Sequence, residues 1–238
     1  MLKNFINRIV ELAAPTTYEI NGHTYASEGL ERIDPPKYMP RSIDVTGLDS
    51  VCKLVRNEVK AVGRKIFVQI KAYNQVQVFS TYDDQYERSY LYKCMADTPS
   101  VTVGRFNPYE NAVIELRSLY IPNEGTNYLL QLLSSISSES KVVSTDNGVT
   151  QTVEAKQGIA LSQMVQVKPR VTLKPFRTFI EVDQPESEFL LRISGDGKIG
   201  LYEADGGVWK LEATRNVAAY FEEALKDLIE SGDVVVIR

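Results

Sequence analysis

Apolar residues recur along this chain with two different periods. Residues 1–14, 46–63, 124–137 and 215–232 place them at helical spacing, three to four positions apart. Residues 65–97 instead alternate apolar and polar positions, which is typical of half-buried antiparallel strands. The pattern predicts an α+β protein built from antiparallel meanders and hairpins, with three to four amphipathic helices.

The predicted helices have identifiable ends and apolar faces. The second ends at Gly63, the third has Thr126 as a candidate cap, and the fourth ends at Gly232. The second helix places six apolar residues on one face: Leu48, Val51, Cys52, Val55, Val59 and Val62.

Strands are predicted between these helices. Two Asn-Gly pairs, Asn21-Gly22 and Asn147-Gly148, lie between strand-forming runs and predict tight hairpins. Residues 65–97 predict a three-stranded meander with turns near Tyr73-Asn74 and Asp83-Asp84. Further strands are predicted at "NAVIELRSLYI", at "MVQVKPRVTLKPFRTFIEV" with interruptions at its prolines, and at "DVVVIR".

Glycines cluster in "GDGKIGLYEADGGVW", residues 195–209. A phosphate-binding loop would lead directly into a helix, and an EF-hand loop needs regularly spaced acidic ligands. The pattern predicts a strand after each glycine cluster, so both clusters are interpreted as hairpin turns.

The chain is predicted to divide into two halves near the polar segment "SSISSES". Residues 1–138 would hold the N-terminal helix, a hairpin, a helix, the meander and a further helix. Residues 139–238 would hold a β-meander and a helix. Each half contains an Asn-Gly pair and a long amphipathic helix, with no further internal repeat.

The composition disfavours several kinds of metal site and catalytic site. The 238 residues carry a net charge of −4 and include two cysteines and one histidine, His23. One histidine makes a Cys/His zinc site unfavourable, since such sites need about four ligands. No nucleophile motif is present, and the paired carboxylates Asp83-Asp84 and Glu222-Glu223 are interpreted as solvated surface. We therefore expect no catalytic residue, metal or cofactor.

The N-terminal segment is predicted to be an amphipathic helix and not a signal peptide, because Arg8 and Glu11 interrupt its apolar stretch. No run approaches the roughly 18 apolar residues of a membrane span. Two isolated cysteines favour a reducing cytosol. The apolar stripe of the N-terminal helix is a candidate oligomerisation surface: Leu2, Phe5, Ile6, Ile9 and Val10.

Positive charge is concentrated in two places, residues 53–71 and 156–177. In the second, Phe176 and Phe179 are interleaved with basic residues, as in strand platforms that stack single-stranded bases. A solvated outer sheet face has the same pattern, so both interpretations stay open. The candidate nucleic-acid-binding residues are Lys168, Arg170, Lys174 and Arg177.

Three stretches together resemble a known family. They are "YEINGHTYASEGLERIDPPKYMPRSIDVTGLDSVCKLVRN", "DNGVTQTVEAKQGIA" and "VTLKPFRTFIEVDQPESEFLLRI", followed by a "W-x-L-E…F-x-x-A" helix. Over roughly residues 18–230 the chain resembles the YfdQ-like family of tailed phages and prophages, a family of unknown function. The resemblance transfers no catalytic or binding residue. It implies a phage-encoded accessory protein that acts in the bacterial cytoplasm.

The resulting expectation is a non-enzymatic phage protein that binds a macromolecular partner in the host cytoplasm as a homo-oligomer, with a host or phage protein, or nucleic acid, as candidate partner. Two alternatives stay open. One is a nucleic-acid-binding protein of phage DNA metabolism or recombination, and the other is a structural component of the virion.

Overall fold

The computed structural model describes residues 2–13, 16–20, 23–26, 41–83, 86–135, 142–146, 151–156 and 162–238. Of residues 10–13, 20, 23–24, 142–146, 151–156 and 162–166 it describes the backbone alone. The chain forms two compact units, residues 1–39 and 40–238.

The first unit contains the predicted N-terminal helix and the first hairpin. Helix α1 spans Leu2–Ala13, and strands β1 (Thr17–Ile20) and β2 (His23–Ala26) pair antiparallel. Ile20 is the partner of His23, so two residues connect the strands, as the Asn-Gly prediction requires. Asn21 and Gly22 themselves lie outside the described residues.

The second unit holds the remaining described elements. Its helices are α2 (Leu48–Val62), α3 (Tyr109–Ser118), α4 (Glu124–Ser135), α5 (Trp209–Ala224) and α6 (Lys226–Glu230). Its strands are β3 (Ile43–Val45), β4 (Ile66–Ala72), β5 (Gln75–Ser80), β6 (Tyr90–Met95), β7 (Phe106–Asn107), β8 (Tyr120–Ile121), β9 (Val142–Asp146), β10 (Gln151–Lys156), β11 (Ser162–Val167), β12 (Arg170–Pro175), β13 (Ser187–Ile193), β14 (Ile199–Glu203) and β15 (Val234–Ile237). The predicted α+β class is confirmed.

The first five-stranded sheet has the order β15-β4-β5-β6-β3. Its centre is the predicted antiparallel meander, and a parallel strand is added at each edge. One face packs against α2 and α5, where Val55, Val68 and Phe221 are fully buried in a common core. Helix α2 ends as predicted at Gly63, whose φ of 58° is a left-handed conformation that glycine adopts without strain.

The second five-stranded sheet has the order β7-β14-β13-β12-β8, and α3 and α4 contribute to its core. The strand predicted at residues 111–121 is wrong over most of its length, because α3 occupies it through Ser118. Ala112 and Leu116, four residues apart, are buried on one helical face, whereas the β-branched Val113 and Ile114 had favoured a strand.

Two helix starts also differ from prediction. The cap of α4 is Asn123, whose Oδ1 accepts the Thr126 amide at 2.9 Å, while Thr126 itself is buried. The strand predicted after Gly206-Gly207 is wrong, since α5 begins there. The fourth predicted helix is divided into α5 and α6 at Leu225, and Gly232 follows it with a φ of 80°.

Strand pairing crosses the predicted boundary at residue 138. The C-terminal strand β15 pairs with β4, and β8 pairs with β12. The sequence had placed the division of the chain at residue 138, whereas the compact units divide between Met39 and Pro40. A third sheet, β11-β10-β9, has three antiparallel strands, and the Asn147-Gly148 pair lies outside the described residues.

Candidate functional site

The basic residues predicted to bind nucleic acid lie in different environments. Arg170 pairs with Glu188 at 2.6 Å, and Lys174 Nζ lies 2.8 Å from Asp183. Lys168 Nζ lies 4.9 Å from the centre of the Tyr128 ring. The fourth residue, Arg177, is buried. Three of the four charges are thus paired with carboxylates, since Arg177 lies 3.1 Å from Glu203. The nucleic-acid role of this cluster stays a prediction.

Arg177 is the centre of a buried polar cluster. Its side chain is only 9% exposed, and its guanidinium carbon lies 3.8 Å from the centre of the Trp209 ring. Nη1 donates to Glu203 Oε1 at 3.1 Å and Nη2 donates to Ser187 Oγ at 2.7 Å. Burial lowers the pKa of Arg177, and the negative charges of Glu203 and Asp205 oppose that shift.

An open cleft of about 230 Å³ lies over this cluster, with Tyr73, Val101 and Val103 among its lining residues. Trp209 Nε1 donates to the same Glu203 carboxylate at 3.2 Å. Since the charges of Arg177 and Glu203 compensate each other, the floor of the cleft has little net charge. The cluster connects β13, β14 and α5, and its geometry fits a structural tie better than a ligand site.

The second glycine cluster precedes a helix, contrary to the sequence interpretation. The Asp205 carboxylate accepts the amides of Gly207 at 3.0 Å, in the turn before α5, and of Trp209 at 3.2 Å, the first residue of that helix. This carboxylate occupies the position that a bound phosphate would take at a helix N-terminus. The first cluster forms the predicted turn between β13 and β14, where Gly197 has a φ of 77°.

The first five-stranded sheet presents a second face, opposite α2 and α5, that has a distinctive composition. Strand alternation places Phe67 and Gln69 of β4 beside Phe79 and Gln77 of β5 on this face. A shift in register at Leu91 makes Tyr90 the partner of Phe79 and keeps Lys93 opposite Gln77. We call this surface the open face; it comprises Phe67, Gln69, Gln77, Phe79, Tyr90 and Lys93, with Tyr82 and Arg88 from the β5–β6 loop.

Aromatic rings form a row across the open face. The rings of Phe67 and Phe79 stack with centres 5.4 Å apart, and the Tyr90 ring lies 5.7 Å from that of Phe79. The Arg88 guanidinium lies over three rings, 5.3 Å from Phe67, 5.2 Å from Phe79 and 4.1 Å from Tyr82. Such cation–π contacts fix the orientation of the guanidinium, and Arg88 is half-buried.

Solvent reaches the outer part of this row. Tyr90 is 51% exposed and Tyr82 is 53% exposed, while Lys93 is exposed and Phe67 is half-buried. The open face therefore offers flat aromatic surface, side-chain amides and positive charge in one place. We take the open face as the candidate functional site.

Other candidate groups are placed differently. Burial raises the pKa of Cys52 to about 11 and that of Cys94 to about 12, so both thiols stay protonated at neutral pH. Glu222 and Glu223 are exposed on α5. Asp83 Oδ1 accepts the Glu87 amide at 3.0 Å within the β5–β6 loop, and Asp84 lies outside the described residues. Within the described ranges no three His, Cys, Asp or Glu side chains come together as metal ligands.

The predicted oligomerisation stripe lies on α1 in the first unit. Leu2 is 76% exposed, and Phe5, Ile6 and Ile9 are each at least half exposed. The side chain of Val10 is outside the described part.

Elsewhere, the longest helix that the structure describes, α5, has 16 residues, and none of the described helices has the length and apolarity to cross a bilayer.

Sequence reasoning did not identify the open face, although part of its signal is present. Residues 67, 69, 77 and 79 are the outward positions of two predicted strands, and they alternate aromatic and amide side chains. The irregular pairing at Leu91, which places Tyr90 beside Phe79, has no sequence signal of that kind.

Comparison of the chain with family models, curated proteins and solved structures finds no match. The resemblance to the YfdQ-like family therefore stays a prediction. What the fold and the site define is an α+β protein with an aromatic and cationic sheet face.

Proposed function

We propose that this chain is a non-enzymatic protein that binds a macromolecular partner through the open face. The observation that carries the proposal is the row formed by Phe67, Phe79 and Tyr90, with Arg88 over it, at the surface of a sheet whose other face forms the core. Exposed aromatic residues and arginine are the groups that most often dominate macromolecular interfaces. Small ligands, by contrast, bind mainly in concave pockets, and a sheet face suits a larger partner.

The non-enzymatic part of the proposal rests on the sequence and on the thiols. A chain with one histidine and no nucleophile motif has few groups for acid–base or covalent catalysis. The raised pKa values of Cys52 and Cys94 disfavour the thiolate form that nucleophilic catalysis requires.

The biological setting is also proposed. The resemblance to the YfdQ-like family supports a phage-encoded accessory protein in the bacterial cytoplasm, whose partner is a host or phage macromolecule, either a protein or a nucleic acid. The apolar stripe of α1 supports a homo-oligomer, because a short amphipathic helix needs a surface to pack on. A structural component of the virion is a further alternative, which copurification with phage particles would support.

A second candidate function is favoured by a specific observation. The stacked rings and the Arg88 cation of the open face suit a nucleic-acid-binding protein of phage DNA metabolism or recombination. This placement differs from the predicted cluster on β12, where Arg170 and Lys174 are paired with carboxylates.

A pull-down with the purified full chain tests the proposal. Tagged wild-type protein and the Tyr82→Ala/Tyr90→Ala double variant are incubated with bacterial lysate, and bound protein and bound nucleic acid are both quantified. We expect wild type to retain a partner that the double variant loses, and Tyr18→Ala, which changes a tyrosine that is 54% exposed, to behave as wild type.

Two results would overturn the proposal. One is equal recovery by wild type and the double variant of every component they retain. The other is turnover of nucleotide or nucleic acid in an activity screen that disappears on substitution of Glu222 and Glu223 or of Asp83 and Asp84.

A further inference from the structure

We infer that the open face binds single-stranded nucleic acid, with bases stacked on Tyr82 and Tyr90 and phosphates contacted by Arg88 and Lys93. The inference rests on the proposed function, because it names the chemical class of partner for the same surface. It is carried by three observations: ring exposure, the placement of Arg88, and the distribution of charge around the row.

Ring exposure decides which residues would stack on bases. Tyr82 and Tyr90 each leave about half of their surface to solvent, whereas Phe79 is almost buried beneath its neighbours. The Phe79 ring packs against the Tyr90 ring, with their centres 5.7 Å apart. Single strands present unstacked bases whose flat faces can pack on such rings, whereas the bases of a duplex are already stacked on each other.

Arg88 is oriented to contact a phosphate next to those bases. Its guanidinium packs on Tyr82 at 4.1 Å and also lies over Phe67 and Phe79. Its one hydrogen bond among the described residues, from Nη1 to the Ser80 carbonyl oxygen, is long at 3.4 Å. A guanidinium has five N–H donors, so donors remain for phosphate oxygens.

Further positive charge surrounds the aromatic row. Lys93 is exposed on β6, Lys71 is exposed at the register shift of β4, and Lys65 is exposed just before β4, where its carbonyl oxygen accepts the Thr81 amide at 2.8 Å. None of these three lysines forms an ion pair with a carboxylate in the described part of the chain. A polyanion with exposed, flat bases complements both this charge and the aromatic rings.

Acidic groups near the face set a limit on affinity. Asp44 of β3 is the strand partner of Lys93, Asp83 accepts a backbone amide within its loop, and Glu87 is exposed. With these carboxylates nearby and a chain charge of −4, binding depends on a few phosphate contacts. We therefore expect moderate affinity that falls steeply as salt is raised.

Fluorescence anisotropy with the full chain tests the inference. The probes are fluorescein-labelled (dT)15, (U)15 and a duplex of the same length, at about 50 mM salt, where electrostatic contacts are strong. We expect both single strands to bind more tightly than the duplex. The Tyr82→Ala/Tyr90→Ala variant should bind at least about 10-fold more weakly, since each stacked base contributes about 1–3 kcal/mol.

Matched variants separate the contribution of the aromatic rings from that of the positive charges. Tyr90→Phe keeps the ring and should bind within about twofold of wild type, and Tyr18→Ala should do the same. Lys93→Gln removes one phosphate contact, so the slope of log affinity against log salt should become shallower by about one. Arg170→Gln, in the neutralised pair on β12, should leave that slope unchanged.

The inference is overturned if neither single strand binds at about 50 mM salt, if the duplex binds more tightly, or if the double variant binds as wild type does. It is also overturned if Arg170→Gln lowers the salt slope and Lys93→Gln does not, which would place binding on β12. If the oligonucleotides fail while the pull-down still retains a protein that the double variant loses, the inference fails and the proposed function stands.

Discussion

The guanidinium carbon of Arg177 lies over the indole of Trp209, 3.8 Å from the ring centre. Both residues also share one carboxylate, since Arg177 Nη1 and Trp209 Nε1 donate to Glu203 Oε1. A residue predicted to meet solvent and phosphate thus serves inside the protein, where it joins the segment after β12 to the start of α5.

Replacement of Arg177 should be strongly destabilising. Arg177→Met removes the cation that Glu203 pairs with, although Trp209 Nε1 still donates to that carboxylate, and it removes the donor to the Ser187 hydroxyl. Removing one member of a buried ion pair costs about 3–5 kcal/mol. Because Glu203 is about one-third exposed, we expect the low end of that range. Urea unfolding measures the loss, and Arg170→Met, in an exposed pair, should cost less than about 1 kcal/mol. Equal losses in the two variants would contradict the role of Arg177 as a structural tie.

Gly125 is predicted to be intolerant of a side chain. A Cβ at this position, in the first turn of α4, would lie 2.0 Å from the Thr172 carbonyl oxygen of β12. Gly125→Ala must therefore move the helix away from the sheet, at a cost of about 1–3 kcal/mol that outweighs the helix propensity of alanine. Gly195→Ala, which meets no atom within 4 Å, should match or slightly exceed wild type in thermal unfolding. Unchanged stability of Gly125→Ala would show that α4 does not pack this closely on β12.

The two cysteines should be unreactive in the folded chain. Burial raises the pKa of Cys52 to about 11 and of Cys94 to about 12, so neither forms thiolate at pH 8. Both pKa values exceed the unfolded value, so this contribution to the unfolding free energy is complete below about pH 9 and is lost as pH rises through 11 to 12. Thiol titration with a chromogenic disulfide should detect two thiols only after denaturation. Rapid reaction of the native protein would refute this assignment.

The α1 stripe should influence the oligomeric state. Phe5→Glu combined with Ile9→Glu places two charges on the exposed apolar side of the helix. If the stripe packs on another copy, light scattering at micromolar concentration should show a smaller subunit number for the variant than for wild type. Glu11→Ala, in the same helix, serves as control. A wild-type monomer, or the same subunit number in the variant, would leave α1 without a part in assembly.

The spacing of apolar residues along the chain predicted most of the fold, because the period of that spacing shows which face of a helix or strand is buried. The face of α2, the β4–β5–β6 meander and the hairpin between β1 and β2 all follow from it. Residues 111–118 were misassigned because Val113 and Ile114 favour a strand, while their helix is stabilised by packing of Ala112 and Leu116 in the core. Long-range pairing, such as that of β15 with β4, whose partner residues are 168 positions apart, leaves no local pattern to detect.

The candidate functional site was harder to predict from the sequence than the fold was. Basic residues along β12 are visible in the sequence, but their neutralisation by Glu188 and Asp183 depends on segments that follow in the fold. The open face depends on three strands and a loop, and the position of Arg88 over Phe67 depends on the path of that loop. Chemistry that one element carries can be read from its sequence, whereas chemistry assembled between elements requires the pairing register.

Site-specific photo-crosslinking tests the central claim, that the open face is the contact surface, most directly. A photoreactive phenylalanine analogue replaces Tyr90 in the full chain, and in a second preparation it replaces Ile114, which is 62% exposed on α3. After irradiation in bacterial lysate, we predict a discrete crosslinked partner, protein or nucleic acid, from position 90 and none of comparable yield from position 114. Equal or greater yield from position 114, or no crosslink from position 90, would contradict the claim.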